Sequence, residues 1–141
     1  MKLRVLFLCS TNGVQSPMAE ALLKGLDFEH FEVTSAGINR GEMHPLTVEV
    51  MKEIGIDLQD IATKSVDDVR HLTFDIVITL SDLARFHCPK FRQAEVVHWT
   101  LDDPLLVPDR VKQKRMFYIL RDQIAQRARL FVLVQARSTA A

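Results

Sequence analysis

The sequence predicts an α/β protein, a single open, mainly parallel four-stranded sheet with helices on both faces. Three observations predict it. Short apolar runs of strand length alternate with segments whose apolar residues recur at three and four positions. No internal repeat, linker or low-complexity tract interrupts that alternation. The 141 residues, 48% of them hydrophobic, are enough for one well-packed core and short for two, so residues 1–141 are read as a single domain. Strand–helix alternation of this kind builds a parallel sheet, and ligands of such sheets bind beyond the carboxyl ends of the strands.

The elements follow in order. Leu3 to Leu8 reads as a buried strand, and Pro17 to about Leu26 as a helix with Ser16 at its N-cap and Met18, Leu22 and Leu26 on one side, with Ala19 and Leu23 beside them. Phe31 to Ala36 is a second strand closed by Gly37, followed by a loop from Ile38 to Pro45. Helical spacing resumes from Leu46 to Ile54, with Gly55 as the stop. Ser65 and Asp68 make a capping pair for a further helix start. Phe74–Leu80 and Glu95–Trp99 complete the set of strands. A long helix is expected from Asp109 to about Ala136, with Phe117, Leu120, Ile124, Ala128 and Phe131 as its sheet-packing stripe. Leu130–Val134 breaks that stripe and reads either as a buried final turn or as an interface.

The stretch Cys9-Ser-Thr-Asn-Gly-Val-Gln-Ser16 joins the first strand to the first helix. Such a loop turns several backbone N–H groups toward one point, and the helix dipole adds to their positive field. A cysteine in that field is favoured as the thiolate, so the loop offers a nucleophile and an anion cradle together. Cys9, Gly37, Ser81 and Asp102–Asp103 all follow strand ends and fall on one rim.

Composition removes several other classes. Lys plus Arg and Asp plus Glu both number 18, which argues against a nucleic-acid partner. No apolar run reaches membrane-spanning length, and the short run after Lys2 fits an initial strand better than a signal peptide. Two cysteines cannot form a disulfide scaffold, so a reducing cytoplasmic location is expected. His44, His71, His87 and His98 lack metal-ligand spacing, with His87 and Cys88 read as an extended pair pointing apart, and no Gly-rich nucleotide motif occurs, so no metal or cofactor is expected.

The pattern Cys9-x-x-Asn12-x-x-x-Ser16 after the first strand resembles the phosphate loop of the low-molecular-weight protein tyrosine phosphatases and of the arsenate reductases that share their fold. Ser16–Glu20, Thr34–Gly37, Met51–Asp57, Val77–Leu80 and His98–Pro104 extend the resemblance over nearly the whole chain and favour the arsenate reductase branch. The resemblance implies Cys9 as nucleophile, Ser16 as a donor to its thiolate and Asp103 as general acid. It implies Ser10, Thr11, Asn12, Gly13, Val14 and Gln15 as the substrate-binding loop, with Asn12 holding its backbone. The substrate would be an oxyanion, arsenate or a phosphate ester, and the reductant a thiol partner such as thioredoxin or glutathione.

Two departures qualify the expectation. The loop arginine of the family is Gln15 here, an uncharged amide in place of a planar cationic fork. Loss of such a contact typically costs on the order of 10²–10³ in rate. Arg40 and Arg85 are the cations near the rim that could substitute. The middle cysteine of the thioredoxin-coupled relay is Ser81, leaving Cys88 as the redox candidate, and a hydroxyl takes no part in disulfide exchange. A direct Cys9–Cys88 disulfide and release by an external thiol both remain open. Other readings of the chain are a non-catalytic oxyanion-binding or regulatory module and a Cys9/Cys88 redox sensor. For the aromatic residues that phosphatases present near the leaving group, Trp99 and Phe86 are the counterparts to consider.

Overall fold

The computed structural model describes residues 1–140, with side chains through residue 136. Its centre is a four-stranded parallel sheet made of β1 (Leu3–Cys9), β2 (Phe31–Gly37), β3 (Ile76–Thr79) and β4 (Glu95–His98), in the order β2-β1-β3-β4. The helices are α1 (Gln15–Asp27), α2 (Pro45–Lys52), α3 (Val66–Val69), α4 (Asp82–His87) and α5 (Arg110–Ala140).

Alternation along β1 sorts the core into two layers, because successive strand side chains point to opposite faces. Val5, Phe7 and Cys9 join Met18, Ala19 and Leu23 of α1, Val50 and Met51 of α2, and Phe117, Leu120 and Ile124 of α5. Leu6 and Leu8 join Val66 and Val69 of α3, Ala84 of α4, and Phe74 and Phe91. Helices therefore cover both faces. From β1 the chain first moves outward to β2, then crosses back to β3 on the other side of β1. That reversal makes the carboxyl end of β1 the switch point of the sheet, where a crevice opens between diverging loops. The Cys9 loop leaves the sheet at this point.

Several local expectations change in the folded chain. The first helix begins at Gln15, and Val14, which lends no side-chain bond, occupies its cap. Ser16 is thus inside the first turn, because its hydroxyl is drawn to Cys9. On α1 Met18, Ala19 and Leu23 are buried and Leu22 packs against them half-buried, as expected, whereas Leu26 is exposed, because the helix ends one residue later at Asp27. Gly55 has φ of +84°, the left-handed conformation that ends a helix at low cost for glycine alone. Ser65 and Asp68 do form a reciprocal capping box. Residues 82–87 form a helix that the periodicity does not reveal, since only Ala84 of its six residues is buried. His87 and Cys88 consequently end a helix and are not an extended pair. α5 continues through residue 140, so Leu130–Val134 is not a final turn; Phe131 stacks on Phe31 and Trp99, while Leu130, Leu133 and Val134 face outward.

Candidate active site

Cys9 is the last residue of β1 and fully buried, with its Sγ 2.9 Å from the Ser16 hydroxyl. The loop between them is fastened from outside by its carbonyls. Ile38, Asn39 and Gly41 donate their N–H groups to Cys9, Ser10 and Thr11 oxygens, and Gly13 oxygen accepts from the His44 N–H and the Thr47 hydroxyl. The N–H groups of Ser10, Thr11, Asn12, Gly13 and Val14 donate to no described residue. Carbonyls held on one side leave the amides for the other, which is the arrangement an anion requires.

Asn12 fixes the turn. Its φ of 62° lies in the left-handed region, where asparagine is tolerated better than most residues. The side chain is buried and satisfied on both sides: Nδ2 donates to the Ser16 and Ser35 hydroxyls at 2.8 and 3.0 Å, and Oδ1 accepts the Lys64 N–H at 2.8 Å. Ser35 in turn donates to Glu20 at 2.6 Å, and Glu20 pairs with Lys24 on the surface of α1. A continuous hydrogen-bonded path thus leads from Lys24 to the Cys9 sulfur. Ser35, Glu20 and the Lys64 backbone were not singled out from the sequence. The signals were the Ser16–Glu20 and Thr34–Gly37 motifs, while Lys64 lies 52 residues from Asn12.

Close packing behind the loop depends on Gly37. A methyl group there would lie 2.4 Å from the Thr11 carbonyl carbon and 2.6 Å from the Asn12 nitrogen. Both are backbone atoms that cannot move without dismantling the loop.

Matching such a loop to known chains settles the family. The family model for low molecular weight phosphotyrosine protein phosphatase matches residues 4–137. The chain belongs to that family. Within it the arsenate reductase branch is indicated by the relatives. An arsenate reductase of Halalkalibacterium halodurans is 35% identical over 129 residues, covering 90% of this chain and 93% of the relative. One of Bacillus subtilis is 33% identical, with the same coverage. A solved structure described as an arsenate reductase in the phosphate binding state superposes with a TM-score of 0.80 at 27% identity, covering 94% of this chain and 98% of that one.

The remaining site expectations divide. Gln15 is 6% exposed, and its side-chain amide bonds to no described residue. Ser81 caps α4, accepting from the Ala84 N–H at 3.2 Å, and its hydroxyl also accepts from that of Ser10 at 3.0 Å, so the rim at β3 touches the loop directly. The Asp103 carboxylate accepts the Leu105 N–H at 2.9 Å and caps a short turn, Pro104–Leu106; it makes no hydrogen bond with the loop among the described residues. Arg40 is committed to Asp68. Trp99 is only 5% exposed and packs between Phe7 and Phe131, so it presents no face to a substrate, whereas Phe86 is open to solvent.

The cysteines lie in different layers. Cys9 belongs to the layer of α1, α2 and α5, and Cys88 packs with Ile38 and Ala94 against the layer on the other face. Both are free. Burial pushes the Cys88 thiol up, which lowers its thiolate fraction. At the end of β4, His98 shares a 2.7 Å hydrogen bond with the Thr79 hydroxyl; burial, reinforced by the Arg85 charge, holds the imidazole below its ordinary value. No described group of His, Cys, Asp and Glu is arranged to hold a metal ion, and no described helix is long and apolar enough to cross a membrane.

Proposed function

We propose that the chain is a thiol enzyme of arsenate reductase type, acting on a tetrahedral oxyanion through Cys9. The observation that carries this reading is the Cys9 sulfur beside Ser16 at the base of a loop whose amides donate to no described residue. The Cys9 thiolate attacks arsenic, an arsenic–sulfur bond forms, and hydroxide leaves as water with a proton from Asp103. A second thiolate then attacks the Cys9 sulfur. Arsenic departs with the electron pair of its bond to sulfur, as arsenite, and a disulfide remains. As(V) has gained two electrons and two thiols have lost them. With Ser81 in the relay position and Cys88 on the other sheet face, an external thiol such as glutathione or thioredoxin supplies the second sulfur. The proposed location is the reducing cytoplasm.

The same site supports a second reaction. With a phosphomonoester, sulfur attacks phosphorus, Asp103 protonates the departing oxygen, and water hydrolyses the thiophosphate. The Ser81 replacement favours keeping this reading, since hydrolysis needs no cysteine relay. The Gln15 amide, uncharged and bonded to no described residue, favours a further reading as an oxyanion-binding or regulatory module without turnover. A Cys9/Cys88 redox sensor is the least supported, because the two thiols sit in opposite layers.

Turnover separates these readings. Arsenate reduction with excess glutathione, or with thioredoxin and its reductase, and hydrolysis of an aryl phosphate are measured for the unchanged protein, Cys9→Ser and Gln15→Arg. Arsenate turnover abolished by Cys9→Ser and raised by Gln15→Arg is expected. Turnover untouched by Cys9→Ser would end the enzymatic reading. Activity appearing only in Gln15→Arg would favour the binding module.

A further inference from the structure

The loop lacks a cation, and one described cation is placed to replace it. We propose that Arg85 of α4 is a substrate-binding residue that closes the oxyanion site from the rim, supplying to a tetrahedral dianion the guanidinium that position 15 lacks. This rests on the reading of Cys9–Ser16 as an oxyanion loop. α4 is tied to that loop at its N-cap, since the Ser10 hydroxyl donates to that of Ser81 at 3.0 Å. Arg85 stands one helical turn further on, and its N–H donates to the Ser81 carbonyl at 2.9 Å. Residues four apart share a helix face, and helical side chains lean toward the helix N-terminus. Arg85 therefore shares the side of α4 that Ser81 caps, from which a long side chain extends back toward the helix N-terminus and the rim.

Its charge is also available. Arg85 is exposed and forms no ion pair with a described residue. It is felt at the carboxyl end of β4, where it helps disfavour protonation of His98. Two other cations near the loop are held in ion pairs. Arg40 is held by Asp68, and Lys24 by Glu20. Lys64 meets the loop through its backbone N–H, which donates to Asn12 Oδ1. A guanidinium carried on α4 supplies the same planar fork as one carried in the loop, with two N–H groups for two oxyanion oxygens.

The test measures how inorganic phosphate protects Cys9 from iodoacetamide, with Cys9 labelling resolved from Cys88 by mass spectrometry of the peptides. Arg85→Ala should weaken protection at least about tenfold, the loss expected for a charge-assisted hydrogen bond. Arg85→Lys should retain part of it, and Arg92→Ala, an exposed arginine beyond α4, should change nothing. In Gln15→Arg, protection should strengthen and Arg85→Ala should lose most of its effect. Protection unchanged by Arg85→Ala but strengthened by Gln15→Arg would overturn the proposal while leaving the oxyanion loop intact. So would the same loss from Lys64→Ala in place of Arg85→Ala. If phosphate protects neither the unchanged protein nor Gln15→Arg, the oxyanion reading itself fails. Arg85 is exposed, so urea midpoints of its variants should match the unchanged chain.

Discussion

Replacing Asn12 by alanine should cost more stability than any surface change on α1, and the structure allows the amount to be worked out. The amide makes three neutral hydrogen bonds, to the Ser16 and Ser35 hydroxyls and from the Lys64 N–H. Each is worth about 1 kcal/mol net, so their joint loss costs about 3 kcal/mol. The φ of 62° is kept by the packing around the loop, and alanine there adds about 1 kcal/mol of steric strain. A loss of about 4 kcal/mol is a large share of a typical stability and lowers Tm by about 8–16 °C in a domain near this size. Asn12→Gly loses the same bonds without the strain and should lie about 1 kcal/mol above Asn12→Ala. Urea unfolding at pH 7, with m unchanged, reads both values. A loss below about 1 kcal/mol for Asn12→Ala would refute the claim that this side chain holds the loop. Equal losses for the two variants would refute the strain contribution alone.

Two glycines should respond to alanine with opposite signs. Gly37→Ala drives a methyl group into the Thr11 and Asn12 backbone and should cost about 3 kcal/mol or more, with phosphate protection of Cys9 lost. Gly25 lies inside α1 with open space around it, and Gly25→Ala should gain about 0.5–1 kcal/mol in the same urea assay. For Asp75, hydrogen bonds from the Arg4 guanidinium and N–H hold the carboxyl below its ordinary value. Its stabilising contribution is complete above the unfolded value of about 4 and is lost as pH falls through the lower folded value. Both partners are substantially exposed, so Asp75→Asn should lose no more than about 1 kcal/mol at pH 7, and the gap to the unchanged protein should narrow as pH falls below about 4. His44 caps α2 by accepting the Leu46 N–H through Nδ1, and burial holds its imidazole below the ordinary value. The unfolded chain then binds more protons in the interval below about pH 6.5, so stability falls as pH drops toward the folded value and levels off beneath it. His44→Asn, which keeps a cap acceptor, should flatten that slope between pH 7 and 5; an unchanged slope would count against it.

Local physics made much of the molecule legible. The apolar runs at Leu3–Leu8, Phe31–Ala36 and Phe74–Leu80 have to be buried, Glu95–Trp99 adds an edge strand whose Glu95 and Val96 stay exposed, and the alternation of these runs with helical segments admits few topologies. The loop was equally readable, because Cys9, Asn12 and Ser16 lie within eight consecutive residues. The sequence alone also determined that position 15 carries no charge and position 81 no thiol, which no packing can alter. Tertiary structure decided what those residues do with their polar groups. Ser16 had two possible uses, helix cap or partner of Cys9, and the sulfur 2.9 Å away took the hydroxyl. α4 escaped notice because a short helix with one buried residue leaves no periodic trace. The roles of Ser35, Glu20 and Lys64 around Asn12, the separation of Cys9 from Cys88 by the sheet, and the different fates of Arg40 and Arg85 all depend on contacts between distant segments. Such contacts exist only once burial of the apolar faces has brought the strand ends together on one rim, so no local pattern along the chain encodes them.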